Sequence, residues 1–177
     1  HSYGGAVALA WAVDAPETMA ALVLASAPSH TWDTPLSTFY RFTSTPYLRR
    51  IAVPLITAWL PKNVVPAAAS EVFAPNPVPG GYLAAFGAEM SLRRQTLYVN
   101  AAERAALLPQ VRAMVPAYPL LAMPVEAVHG DADTTVGLAI HSQPLARAAD
   151  TVRLTVLPGI GHMPHHVAPE AVVAAID

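Results

Sequence analysis

The sequence predicts an α/β fold: about three parallel strands flanked by helices, with a helical segment inserted after the first strand. Three observations carry this. The short continuous apolar run Met19–Ala25 suits a strand covered on both faces, and Val125–His129 and Val152–Leu157 read as a second and a third strand. Helical segments alternate with them in the order helix, strand, insertion, strand, helix, strand, helix, the pattern of a parallel sheet. Finally, a serine, an aspartate and a histidine each sit in a turn or loop at the C-terminal end of a strand, or where a strand would be, and open α/β sheets place their sites there. The organisation reads as core over 1–29, a helical insertion or lid over 30–118, and core again over 119–177.

The elements follow in order. Gly4–Val13 is apolar on nearly every side and reads as a buried helix, ended by Asp14, Ala15 and Pro16. The Met19–Ala25 strand comes next. Residues 30–118 are rich in proline and aromatics and read as short helices in irregular loops, with Asn76-Pro77-Val78-Pro79-Gly80-Gly81 as the clearest break. Ser91–Val115 is the most regular helical stretch there, with an interruption expected at Pro109. Val125–His129 is the second strand, stopped by Gly130-Asp131. The helix over Leu138–Ala149 should become regular only near Ser142, because of Pro144. Val152–Leu157 is the third strand, ended by Pro158-Gly159. Pro169 opens a last helix through Ile176, with Glu170 favourably placed near its positive end.

Composition narrows the function classes. Hydrophobic residues make up 54% of the 177 residues and charged residues only 12%, where an ordinary domain carries about 25%. The net charge of −2 supplies no basic field for nucleic acid, so no nucleic-acid partner is expected. The longest apolar runs, Met19–Ala27 and Ile51–Leu60, fall short of the ~20 residues of a membrane span, and Pro54 interrupts the second. With no cysteine, disulfides, thiolate metal sites and cysteine nucleophiles are excluded.

Three motifs carry chemistry. His1-Ser2-Tyr3-Gly4-Gly5 contains the S-x-G half of a strand-turn-helix pattern that presents a serine hydroxyl on a strained turn. A helix starting at once would favour negative charge beside Ser2, and the Tyr3 backbone N–H is a candidate oxyanion donor. His129-Gly130-Asp131-Ala132-Asp133-Thr134-Thr135-Val136 offers two carboxylates after a strand, which could equally be turn formers and a cap. Pro158-Gly159-Ile160-Gly161-His162-Met163-Pro164-His165-His166 puts histidine on a glycine-flanked loop able to reach over the sheet edge. A metal cluster of His162, His165 and His166 is the competing reading, disfavoured by the lack of a nearby carboxylate. His129 reads as structural, and His30 and His141 have no motif support. A terminal His1 could brace copper in an oxidative polysaccharide-cleaving enzyme, but those resemble β-sandwiches, which the βα alternation here does not.

Serine, aspartate and histidine in that chain order resemble the α/β-hydrolase superfamily, in its cap-bearing esterase and lipase-like branch. The matching strings are HSYGGAVAL, LVLASAP, PVEAVHGDADTTV and LPGIGHMPHH. The resemblance implies that Ser2 is the nucleophile, His162 the general base and Tyr3 an oxyanion-hole residue. It makes Asp133 the acid, since Gly130, Asp133 and Val136 match the family spacing, with Asp131 as runner-up. Asp33 reads as a cap-loop residue. A serine rather than an aspartate at the elbow favours acyl chemistry over the alkyl-enzyme route of dehalogenase and epoxide hydrolase relatives. No metal or organic cofactor is implied. The insertion's aromatics, among them Trp32, Phe39, Tyr40, Phe42, Tyr47, Trp59, Phe73, Tyr82 and Phe86, read mainly as the cap's own small core, with some as candidates to line an apolar pocket.

The expected activity is hydrolysis of a small-molecule carboxylic ester with an apolar or small acyl group, through an acyl-enzyme. Acyl transfer, C–C bond or amide hydrolysis and perhydrolysis are alternatives with the same triad. A non-catalytic binding relative is a further one, disfavoured because all three triad positions are filled. In the family the elbow serine follows the fifth of eight strands, whereas this chain opens on His1 within the elbow. It is therefore expected to be the C-terminal portion of a partial hydrolase fold whose partner is the missing N-terminal half, inactive or nearly so by itself. Loss of one oxyanion donor alone costs roughly 2.7–4 kcal/mol of transition-state stabilisation. The Met19–Ala25 strand would then be an exposed sheet edge, open to self-association.

Overall fold

The computed structural model describes residues 1–59 and 63–177, so Leu60, the last residue of the Ile51–Leu60 apolar run, lies outside the described residues. The chain divides into two compact units. The first comprises His1–Trp32, Ser70–Pro77 and Val111–Asp177; the second comprises Asp33–Ala69 and Val78–Gln110. Residues 30–118 thus do not all fall in one unit: Ser70–Pro77 and the residues from Val111 belong with the first.

The first unit is built on a three-stranded parallel sheet in the order β1 (Leu22–Ala25), β2 (Val125–Gly130), β3 (Val152–Leu157). Leu22 is in register with Val125, and Val125 with Val152. The first strand starts later than expected, because Pro16–Thr18 forms a short 3-10 turn and Leu22 is the first residue whose N–H reaches the Pro124 carbonyl on the neighbouring chain segment. Leu22, Leu24, Val125, Ala127, Val128 and Val152 are buried. The continuous apolar run of β1 is accounted for by cover on both faces.

Helix α1 (Ser2–Asp14) packs on β1. It buries Gly5, Ala6, Leu9 and Ala12, a stripe at helical spacing, but Val7 is 51% and Trp11 57% exposed. The expectation of a helix buried all round is therefore corrected: α1 is apolar on every side and packed on one. Gly5 is where it comes closest, since a Cβ there would run into the Ala27 side chain.

In the second unit lie α2 (Thr38–Ser44), α3 (Arg49–Trp59), α5 (Tyr82–Phe86) and α6 (Ala88–Ser91). Two more helices, α4 (Val64–Phe73) and α7 (Arg94–Met114), begin there and end in the first unit. The expected interruption at Pro109 does not occur, and α3 likewise continues through Pro54. A proline removes one N–H donor, and the helical hydrogen bonds on either side of it carry the helix past. The aromatic residues do not form this unit's core. Thr43, Val53, Ala101 and Leu107 are buried, whereas Phe39, Phe42, Tyr47, Trp59 and Phe86 are exposed. Short helices close on small side chains, and wide rings are left outside. Phe73 is fully buried but belongs to the first unit.

Helices α8 (Ser142–Ala148), α9 (Pro164–Val167) and α10 (Pro169–Ala174) complete the first unit. Regular structure in α8 starts at Ser142 as the position of Pro144 predicts. The final helix ends at Ala174, short of Ile176, and α9 was not foreseen. No single described helix is long and apolar enough to cross a membrane.

The packing of α1 gives a paired prediction. Gly5→Ala should destabilise the protein by about 1–3 kcal/mol through overpacking against Ala27. Gly4→Ala, where a Cβ meets nothing within 4 Å, should be neutral or stabilising by up to ~1 kcal/mol. Urea unfolding of the two variants checks this; equal effects would contradict the close approach.

Candidate active site

Each of three side chains is delivered by a different element of the first unit. Ser2 opens α1 with φ 47°, in the left-handed region that a non-glycine residue occupies only under constraint. Asp133 sits in the turn after β2, and His162 in the loop after β3. Both are buried. The loop reaches Ser2 because it lies directly on the end of β2: a Cβ on Gly130 would collide with the Ile160 carbonyl.

The geometry is a continuous relay. His162 Nε2 lies 2.9 Å from Ser2 Oγ, and His162 Nδ1 lies 2.7 Å from Asp133 Oδ2. A carboxylate can only accept, so Nδ1 carries the proton, and Nε2 is left with its lone pair facing the serine hydroxyl. Asp133 is held from the other side: the Thr135 and Val136 N–H groups both donate to Oδ1 at 2.8 Å. Burial would raise the Asp133 pKa. Hydrogen bonds from His129, His162 and the Val136 N–H, with the positive charge His162 can carry, outweigh it and hold the carboxyl well below the usual carboxylate range.

His129, fully buried at the end of β2, backs the carboxylate. Its Nε2 donates to the Val136 carbonyl at 2.7 Å and lies 3.3 Å from Asp133 Oδ2, while Nδ1 meets Ser142 Oγ at 2.6 Å. The sequence reads it as structural, and the contacts it makes lie against the relay itself. His1 Nε2 donates to the His162 backbone carbonyl at 2.8 Å. Tyr3 follows Ser2 in the first turn of α1, where backbone N–H groups point out of the helix end.

Asp131 is not part of the relay. Its Oδ1 accepts the Gly159 N–H at 2.7 Å, so it ties down the histidine loop. The His165 ring meets those of His166 and His1 in tilted contacts, with ring centroids 4.4 and 4.2 Å apart. Among the described residues no group of three or more His, Asp or Glu side chains is arranged to hold a metal ion. A surface depression bordered by Glu126, Arg153 and Asp177 contains none of the three relay residues.

Two features had little signal in the sequence. Asn76, read only as part of a loop break, bonds the histidine loop. His141, without motif support, is buried, and its Nδ1 accepts the backbone N–H groups of Ser29 and His30 at 3.2 and 3.3 Å. An imidazole nitrogen that accepts cannot be protonated there. Burial, then the nearby His129 and His30, push the His141 pKa down to about 4, against a smaller opposing pull from Asp133.

The model of the alpha/beta hydrolase family matches residues 1–175. The chain belongs to that family. Among solved structures, it is similar to a 2-hydroxy-6-oxo-6-phenylhexa-2,4-dienoate hydrolase from a Rhodococcus strain (TM-score 0.71, 18% identity), covering 99% of this chain and 60% of that one. A hydrolase from Pseudomonas aeruginosa aligns with TM-score 0.70 and 19% identity, over 99% and 60% of the two chains. An α/β-hydrolase fold protein from Burkholderia ambifaria aligns with TM-score 0.66 and 24% identity, over 99% and 63%. The chain thus spans about 60% of the length of these relatives. No curated protein matches it in sequence.

The buried groups set a pH response. An unfolded histidine binds its proton near pH ~6.5, whereas folded His141 does so only near pH 4. The unfolded state therefore holds more protons between these values, and stability falls as the pH is lowered through that window. His165, its pKa also lowered to about 4, chiefly by burial, adds to the same slope. Asp133 has the opposite charge type and a depressed pKa, so its share is present above the unfolded value of ~3.9 and is lost only below it. Unfolding free energy measured from pH 7 to pH 4 should decline, and His141→Gln should make the decline shallower. An unchanged slope would contradict the neutral, accepting His141.

Proposed function

We propose that the protein is a serine hydrolase that cleaves carboxylic esters, with Ser2 as nucleophile, His162 as general base and acid, and Asp133 as the orienting carboxylate. The observation that carries this is the relay through one imidazole, 2.9 Å to the Ser2 hydroxyl on one side and 2.7 Å to the buried carboxylate on the other. Membership of the alpha/beta hydrolase family supports it.

The steps follow from the proton positions. His162 Nε2 takes the hydroxyl proton as Ser2 Oγ attacks the acyl carbonyl, giving a tetrahedral oxyanion and an imidazolium. The imidazolium is stabilised by Asp133, already ionised and held by two backbone N–H groups. The Tyr3 N–H, at the positive end of α1, is one donor to the oxyanion. Collapse of the intermediate breaks the C–O bond to the alcohol, which leaves with the proton from His162. Water then gives a proton to the same nitrogen and attacks the acyl-enzyme; the C–O bond to Ser2 breaks, His162 returns the proton to Ser2 Oγ, and the acid leaves. A small or apolar acyl group is the substrate class.

Hydrolysis of short-chain p-nitrophenyl esters, measured on the chain completed to the length of its relatives, tests the reading. Ser2→Ala and His162→Ala should each lower kcat on the order of 10⁴-fold, with far smaller changes in KM. Ester turnover that survives Ser2→Ala would overturn it.

A further inference from the structure

The loop that carries His162 is gripped by a single amide side chain. Asn76 Nδ2 donates to the Gly159 carbonyl at 3.1 Å, and Asn76 Oδ1 accepts the Gly161 N–H at 2.8 Å. The two bonds bracket Ile160 and end on the residue immediately before His162. Donor and acceptor on one planar group, meeting an acceptor and a donor two residues apart, reproduce what a neighbouring strand would offer that backbone.

Three further observations place this grip at the relay. Gly161 is buried, so its N–H needs a partner within the protein. There is no room for the loop to shift toward Asn76's own segment, because a Cβ on Gly161 would strike the Ala74 carbonyl. Nor can it move toward β2, because Gly130 already touches the Ile160 carbonyl. The loop is thus sandwiched between Ala74–Asn76 and the end of β2. Asp131 holds Gly159 N, and His1 holds the His162 carbonyl. Of these contacts, Asn76 alone binds two points of the loop. It also lies in Ser70–Pro77, the stretch of the first unit that is flanked in sequence by both halves of the second.

We propose that Asn76 is a positioning residue for His162, setting the height of its imidazole between Asp133 and Ser2. This rests on the reading of those three residues as the catalytic relay. Without the amide, the loop keeps its place in the fold through Asp131 and the glycine contacts, but the ring loses its fixed distance to both partners. A displacement of ~1 Å at a reacting group costs up to a hundredfold in rate.

The test combines a spectroscopic and a kinetic measurement on Asn76→Ala and Asn76→Asp, the kinetic one made on the chain completed to the length of its relatives. The proton shared by His162 Nδ1 and Asp133 should give a far-downfield resonance in one-dimensional proton NMR, assigned by its loss in Asp133→Asn. In Asn76→Ala this resonance should broaden or move upfield, and p-nitrophenyl ester kcat should fall about tenfold to a hundredfold with KM little changed. Asn76→Asp keeps the acceptor for Gly161 N–H and loses the donor to Gly159, so it should lie between wild type and Asn76→Ala in both measurements. It also carries the test if Asn76→Ala does not fold. A folded variant with an unmoved resonance and wild-type kcat would overturn the proposal. The resonance reports on loop position whether or not esters are the substrate. Failure of the ester reading, seen as turnover surviving Ser2→Ala, is thereby told apart from failure of the Asn76 reading.

Discussion

Everything distinctive about this molecule depends on the buried carboxylate of Asp133. One of its oxygens is committed to the backbone N–H groups of Thr135 and Val136, and the other faces His162 and, more distantly, His129. A buried carboxylate with this many donors stays ionised despite desolvation. Its charge then decides the chemistry of its neighbour. It fixes the proton on the inner nitrogen of His162 and leaves the lone pair of the outer nitrogen 2.9 Å from Ser2 Oγ. Without the carboxylate, neither the tautomer nor the ring direction of His162 would be specified.

The second constraint is steric and belongs to the backbone. Gly130 and Gly161 bring the end of β2, the histidine loop and the Ala74 carbonyl together at distances that allow no side chain at either position. This close stacking brings a residue after β3 back across the sheet edge to the start of α1. The strained φ of Ser2 belongs to the same design, since the helix must begin immediately where the hydroxyl is presented. Polar contacts from Asp131, Asn76 and His1 then hold the loop in the position the glycines make available.

Much of this was legible in the sequence because it is local. The strands over Val125–Gly130 and Val152–Leu157 are short, valine-rich segments stopped by Asp131 and by Pro158-Gly159, and such bounded segments can be read from sequence. Asp133 and His162 lie on turns after strands and Ser2 at the glycine-rich start of a helix, in an order that only a few folds use. What stayed hidden is long-range. Asn76 lies more than eighty positions from Gly159, and an asparagine beside a proline reads as a turn. The acceptor role of His141 depends on Ser29, more than a hundred positions away. Helix α1 looked buried because every side of it is apolar, yet composition does not say which sides meet another element. The aromatics of the second unit make the same point: hydrophobicity does not determine burial, and the small residues Thr43 and Ala101 are inside instead.

The central claim is that the Ser2 hydroxyl is activated by its place at the end of this relay. The most direct measurement is peptide mapping by tandem mass spectrometry after reaction with a fluorophosphonate, which modifies a serine only when a neighbouring base removes its proton. The account predicts one adduct, on Ser2, that is lost when His162 is replaced by alanine. An adduct on another serine, or labelling of Ser2 that is indifferent to His162, would contradict it.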